Sequence, residues 1–315
     1  MKQAIELLRR ARTIAVAAHH DPDGDTIGSA VALGLGLEGA GKRVTLHCAD
    51  PVPDAFRFLP STERFQAESP SEVDLVVTVD YGDATRGKFD FPRDLPLLNI
   101  DHHATNAGFG TVNIVETDSP ATAEIVARLI DAAGLRWTPE MATAALLGIM
   151  TDTGSFQFPN TNPACLHRAA QLLEAGADLL AITTNVFRAR PYPAFKLFGV
   201  AFSRLERERD GRLVHTWITE RDVVDAGARS EDTSGLVEQV ARTIGMRVAV
   251  LFNEDTPRQV KVSIRTSALP PAVDAAAIAQ RFGGGGHIRA AGALVSGSLD
   301  EVRPRVLEAA RAALE

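Results

Sequence analysis

The sequence predicts an α/β protein, with an N-terminal doubly wound, mainly parallel sheet followed by a smaller C-terminal α+β domain. Three observations carry this expectation. Over residues 1–120, apolar runs of strand length alternate with helix-length segments, the pattern of parallel crossovers. Three of those runs end in polar clusters, HHDPDGD, DYGD and DHH, and open α/β sheets gather ligands at the carboxyl ends of their strands. Beyond RARPYP at 188–193 the pattern changes to strand pairs joined by short turns.

Residues 13–18 form the first short apolar run. Residues 29–37 are small and helix-compatible, and Gly39 and Gly41 supply a stop. Residues 43–48 alternate like a strand. The segment 74–79, with LVVTV, is continuously apolar, as expected of a strand covered on both faces. Residues 95–100 and 111–115 read the same way. Helices are expected at 121–133 and at 139–150, the second leading into TDTGSFQF, and two more at 163–175 and 178–187. RARPYP is the start of the expected linker, which places a catalytic domain at 1–187, a linker at 188–203 and a second domain at 204–315. In the second domain, 205–208 and 213–219 flank Arg209-Asp210-Gly211, a hairpin turn. A second strand pair lies at 247–253 and 259–266, with a helix-like segment near 236–244 between the pairs. A helix near 274–282, the glycine run GGGGHIRAAG and a final helix near 300–314 complete the chain.

A length of 315 residues suits two domains. With 45% apolar and 23% charged residues, a core of normal size needs no disulfide or structural-metal staple. Cys48 and Cys165 cannot make a disulfide framework and read as small buried hydrophobes in a reducing compartment. No segment resembles a signal peptide, and no apolar run approaches the roughly 20 residues of a membrane span, so a cytoplasmic location without membrane contact is expected. The net charge of −7 argues against an electrostatic trap for long nucleic acid. Residues 201–315 hold 16 basic and 16 acidic residues, so the whole acidic excess lies in the N-terminal part. Bound divalent cations there would offset it. The apolar helices between Ala121 and Phe187 can serve a core or a homodimer interface.

The chemistry-bearing residues come in four clusters. The first is His19, His20, Asp21, Asp23 and Asp25. Carboxylates crowded at a strand end raise one another's pKa unless a cation intervenes, and imidazole with carboxylate suits manganese, iron or zinc better than calcium. Asp-Pro-Asp-Gly-Asp is equally turn chemistry. The second is Asp80, which alone could be a helix cap. The third is Asp101-His102-His103, in which a turn must aim the two imidazoles differently, one at a metal and the other at substrate. The fourth is Asp152, with Thr151 and Thr153 placed to hydrogen-bond it. Together they exceed the needs of one metal and fit two, which can hold an attacking hydroxide and neutralise a phosphoryl oxygen. No Ser/His/Asp or Cys/His arrangement and no P-loop motif competes. In the second domain, Gly283–Gly286 opens the backbone to an anion or a base, His287 and Arg289 follow directly, and Arg265 in KVSIRTS is placed to grip a phosphate.

These motifs, in this order, resemble the DHH–DHHA1 phosphoesterase family over nearly the whole chain. HHDPDGDTIGS, VDYGD, DHH and TDTGSF resemble its four metal motifs, and KVSIRTS and GGGGHIRAAG resemble the DHHA1 signature. The resemblance implies two Mn2+ ions, one held by His19, Asp23 and Asp80 and the other by Asp25, Asp80, His102 and Asp152, so that Asp80 bridges. It implies that His103 faces the scissile phosphate and acts as an acid toward the leaving group. Arg265, His287 and the backbone of Gly284, Gly285 and Gly286 would take the far end of the substrate. His20 stands at a variable position and is not assigned. Within the family, DHHATNAGFGTVNIVETDSPATAEIV resembles the bifunctional oligoribonucleases (nanoRNases) that also convert pAp to AMP. The expected substrates are therefore short RNA or DNA oligonucleotides and pAp, bound in a cleft between the domains, with pApA and cyclic di-AMP as the alternative. Inorganic pyrophosphatase, a catalytically inert nucleotide sensor and purely structural metal sites are the remaining readings.

Overall fold

The computed structural model describes residues 1–91 and 94–315, which fall into two units, Met1–Ala189 and Arg190–Glu315. The first unit opens with helix α1 (Lys2–Arg10), then runs β1 (Thr13–Ala18), α2 (Gly24–Gly39), β2 (Arg43–His47), β3 (Phe65–Gln66), β4 (Leu75–Val79), β5 (Leu97–Asp101) and β6 (Val112–Val115). Helices α3 (Thr122–Ala132), α4 (Pro139–Asp152), α5 (Pro163–Glu174) and the short α6 (Leu179–Ile182) follow, and a π-helical segment, Thr183–Arg188, takes up the second half of the last expected helix. The strands form one parallel sheet in the order β3-β2-β1-β4-β5-β6. All five residues of β4 are buried, which is why that run is apolar without alternation. The expected doubly wound sheet is thus present. Its strand order reverses between β1 and β4, and the carboxyl ends flanking such a reversal are where open sheets bind ligands.

Helices α2 and α4 sit unusually close. A Cβ on Gly28 would lie 2.3 Å from the Ala144 carbonyl oxygen and 3.1 Å from the Gly148 nitrogen, both backbone atoms. This approach fixes the distance between Asp25, near the start of α2, and Asp152, at the end of α4. Gly28→Ala must therefore push the helices apart. Such overpacking typically costs about 1–3 kcal/mol, and we expect a lower denaturation midpoint in EDTA together with weaker metal binding. Unchanged values in both titrations would show that the spacing is not set here.

The second unit runs α7 (Tyr192–Ser203), β7 (Glu206–Glu208), β8 (Leu213–Ile218), α8 (Glu220–Ala226), α9 (Leu236–Val240), β9 (Val248–Thr256), β10 (Gln259–Thr266), α10 (Ala275–Gln280), β11 (Gly285–Gly286), β12 (Ala290–Ser296) and α11 (Leu299–Ala312). Its sheet is mixed, ordered β11-β12-β10-β9-β8-β7, with only the β8–β9 pair parallel. This is the smaller α+β domain expected. The hairpin turn at Arg209, Asp210 and Gly211 has all three residues at positive φ. The segment 188–203, expected as a linker, differs: Tyr192–Ser203 is helical, and its Leu197, Phe198 and Ala201 pack with Ile218, Leu236 and Leu251. Pro193 lies in the first turn, where its missing N–H has no helical partner to lose.

Candidate metal centre

The chain leaves β1 into a tight turn whose residue Asp23 caps α2, accepting hydrogen bonds from the amides of Asp25 and Thr26 at 3.0 Å each. Thr26 locks the two flanking strand ends together. Its hydroxyl accepts from the His19 amide (3.2 Å) and donates to the Val79 carbonyl (2.9 Å). Immediately after β4, Asp80 adopts a left-handed backbone, φ 66°, a conformation that Asp tolerates better than most residues.

Asp80 faces imidazoles on two sides. Its Oδ2 lies 3.3 Å from His19 Nε2 and its Oδ1 lies 3.6 Å from His102 Nε2. Around it, among the described residues, three sets of side chains could each hold an ion: His19, Asp23 and Asp80; Asp25, His102 and Asp152; and Asp80, His102 and His103. The first two sets bring together every residue expected to bind metal. Asp25 is fully buried at the amino end of α3, accepting from the amides of Thr122 (2.6 Å) and Ala123 (2.8 Å). Asp152 closes α4 and lies 3.2 Å from His102 Nε2. A carboxylate at a helix C-terminus opposes the helix dipole, so this position suits a cation. Thr151 and Thr153 do not support Asp152 as expected, because both hydroxyls bond back to carbonyls of their own helix.

The donor set fits metal ions. With Nδ1 of His19 donating to the His20 carbonyl (2.8 Å) and Nδ1 of His102 donating to the Ser119 carbonyl (3.2 Å), each Nε2 presents a lone pair to the carboxylates. Backbone carbonyls commonly fix metal-binding imidazoles in this way. His19 Nε2 is buried and makes no hydrogen bond. Without a cation the cluster is electrostatically frustrated. Desolvation by the side chains packed around the site, reinforced by the charge of Asp80, pushes the Asp23 carboxyl up to about 6. Burial, then Asp80 and Asp152, drives Asp25 well above the usual carboxylate range. Burial opposes charge on His102, but Asp152, Asp25 and Asp80 outweigh it and raise its pKa to about 10. Burial also opposes charge on Asp80, and there the three histidines prevail and hold its carboxyl below the usual range.

His103 is placed differently from His102. Its Nδ1 lies 2.7 Å from Asp101 Oδ1, and the other oxygen of Asp101 accepts from Asn106 (2.7 Å). With Nδ1 engaged, Nε2 is the nitrogen left to meet a substrate. The Asp101 hydrogen bond outweighs burial and raises the His103 pKa.

Sequence reasoning missed the supporting residues. Thr122 donates to Asp80 Oδ1 (2.9 Å) and Asp101 orients His103. Only the Ser/Thr-rich entry to α3 and the position of Asp101 next to the histidines hinted at either.

In the second unit the glycine run turns from α10 into a hairpin, in which Gly285 pairs with Gly292 and Gly286 with Ala291. A Cβ on Gly284 would meet the Gly292 carbonyl oxygen at 2.1 Å, and Gly286 sits at φ 136°. These two serve the hairpin itself, whereas Gly285 has open space around it. His287 is exposed at the tip. Arg265 is not free as expected: its guanidinium donates to Glu238 at 2.6 and 3.1 Å, because the face of β10 that carries it meets α9.

Comparison with known proteins gives a consistent result. The model of the DHH family, N-terminal domain, matches residues 13–149, and that of the DHHA1 domain matches residues 210–315. The bifunctional oligoribonuclease and PAP phosphatase NrnA of Thermus thermophilus is 39% identical over 99% of this chain and 93% of its own length. The Bacillus subtilis protein of the same name is 26% identical over 90% of this chain and 89% of its own. A crystal structure of an exopolyphosphatase-related protein from Bacteroides fragilis matches with a TM-score of 0.90, covering 99% of this chain and 94% of that one at 24% identity. That last likeness speaks for the fold alone.

Proposed function

This chain belongs to the DHH family and carries a DHHA1 domain as its second unit, and from that premise we propose that it is a metal-dependent phosphoesterase. In this reading it cleaves short oligonucleotides to 5′-mononucleotides and converts pAp to AMP; its relatives bear the name bifunctional oligoribonuclease and PAP phosphatase. The observation that carries the reading is Asp80, whose two oxygens face His19 and His102 separately. His19, Asp23 and Asp80 would hold one ion, and Asp25, Asp80, His102 and Asp152 a second. The imidazole–carboxylate donor set favours Mn2+ over calcium. When bound, such a pair supplies an acidified water and neutralises charge on a phosphoryl oxygen.

The chain's own groups do the rest. Asp101 holds His103 in one tautomer and favours its protonated form, and Nε2–H can then donate to the departing oxygen of a nucleoside or alcohol. In this reading the exposed hairpin at Gly285 and His287 is the second unit's own nucleotide-contact surface. Arg265 would join it only by exchanging Glu238 for a phosphate. The two cysteines are buried and unpaired, which fits a reducing cytoplasm. Among the described residues no helix is long and apolar enough to cross a membrane.

The test is a panel assayed with Mn2+: di- to pentaribonucleotides, pAp, pApA, cyclic di-AMP and pyrophosphate. Release of 5′-mononucleotides from the oligonucleotides and of AMP from pAp is expected. Hydrolysis of pyrophosphate alone would overturn the reading in favour of a pyrophosphatase, and turnover of nothing would favour a nucleotide sensor.

A further inference from the structure

One cation beside the cluster has no role in what has been described. Arg86 lies in the 3-10 turn Ala84–Gly87 that follows Asp80. Its carbonyl anchors that turn to the first motif, accepting from the His20 amide (2.7 Å) and lying 2.6 Å from His20 Nδ1. Its side chain reaches His19, with Nη2 3.3 Å from Nδ1. In the tautomer that binds metal, that nitrogen already carries a proton directed at the His20 carbonyl, so it cannot accept from Arg86. Among the described residues no carboxylate lies within 4.0 Å of the Arg86 guanidinium. Among the described residues, the other charged groups at the centre are acids and imidazoles: the candidate metal ligands, and the His103–Asp101 pair. Asp83, whose pKa is lowered chiefly by its hydrogen bond with Thr85, lies near enough for Arg86 to help lower it. A partly exposed guanidinium with no carboxylate in direct contact among the described residues nevertheless keeps a fork of N–H donors for an anion, and planar guanidinium matches phosphate oxygens in pairs.

We propose that Arg86 is a substrate-binding residue that grips non-bridging oxygens of the reacting phosphate at the His19 edge of the centre. The proposal rests on the phosphoesterase reading. It adds a cationic phosphate contact to the first unit, where the sequence motifs offered only His103 toward the phosphate and placed the one assigned arginine, Arg265, in the second. Because the turn is anchored through the Arg86 carbonyl, truncating the side chain leaves the anchoring bonds in place. The side chain and the architecture can therefore be separated by mutation.

The experiment uses the full chain loaded with Mn2+. Bound metal is counted by elemental analysis, inorganic phosphate affinity is measured by titration calorimetry, and kcat and KM for pAp or a dinucleotide are measured alongside. Arg86→Ala should keep the wild-type metal count and lose about tenfold to a hundredfold in phosphate affinity, the usual worth of a charge-assisted contact. Arg86→Lys should recover part of that loss, and millimolar guanidinium should restore activity to Arg86→Ala. Unchanged phosphate affinity in Arg86→Ala would overturn the proposal. So would loss of metal from both variants, which would make Arg86 a support for His19. If instead the metal-loaded wild type hydrolyses none of the phosphate esters, it is the phosphoesterase reading that fails, while the calorimetric comparison still judges Arg86 as an anion contact.

Discussion

Asp80→Asn is expected to abolish paired-metal loading and to slow hydrolysis of oligonucleotides and pAp by about a thousandfold or more. Loss of a single hydrogen-bond donor to developing charge costs an active site about 10²–10³ in rate, and loss of a cation's charge removes more. Asparagine is the informative replacement. It is among the residues that tolerate the left-handed backbone found at Asp80, φ 66°, and its amide oxygen can still accept from Thr122, now 2.9 Å from Oδ1. The variant should therefore fold. An amide cannot carry the negative charge shared by two ions, nor present anionic oxygens to the regions of His19 and His102 together. Metal content by elemental analysis should fall below two per chain, with circular dichroism unchanged. A variant that held two ions and turned over at the normal rate would refute the bridging assignment.

Three central strands of the first unit, β1, β4 and β5, were legible in the sequence because they are buried on both faces, whereas the two-residue β3 left no signal. β1, β4 and β5 read as unbroken apolar runs, and the polar clusters at their ends lie at the carboxyl edge of one sheet, where side chains from distant parts of the chain must converge. Most of the candidate metal ligands were legible for the same reason; Asp152, which closes helix α4, stood out only as an acid after an apolar helix. The partners of these ligands were not legible. Thr122 grips Asp25 from 97 positions away, and nothing local to either residue signals it. Arg265 looked like a free strand charge because Glu238, 27 positions earlier, belongs to a helix whose packing only the fold reveals. The helix Tyr192–Ser203 was hidden by prolines, which read as breakers until one knows that Pro193 lies in its first turn. Periodicity reports which face of an element is buried, but it does not report which element covers that face.

His103 should matter most to substrates that leave badly. Its Nδ1 is committed to Asp101 at 2.7 Å, which argues against the third grouping that would make it a metal ligand alongside Asp80 and His102. Replacement by glutamine should leave the metal count intact and lower kcat on a dinucleotide by about 10²–10⁴-fold, the usual contribution of a positioned acid. With a p-nitrophenyl phosphoester the leaving group departs as a stable anion, so the same variant should lose far less. The pH dependence supplies a second check. Asp101 raises the His103 pKa, so the protonated form persists to higher pH than in a free imidazole, and activity that needs the proton declines only as pH rises through that shifted value. Asp101→Asn removes the charge that favours imidazolium, so the alkaline limb of its kcat profile should move to lower pH while the acid limb stays in place. Equal losses for both leaving groups, or a fall in bound metal, would place His103 among the ligands, and the departing oxygen would then have to draw its proton from another source.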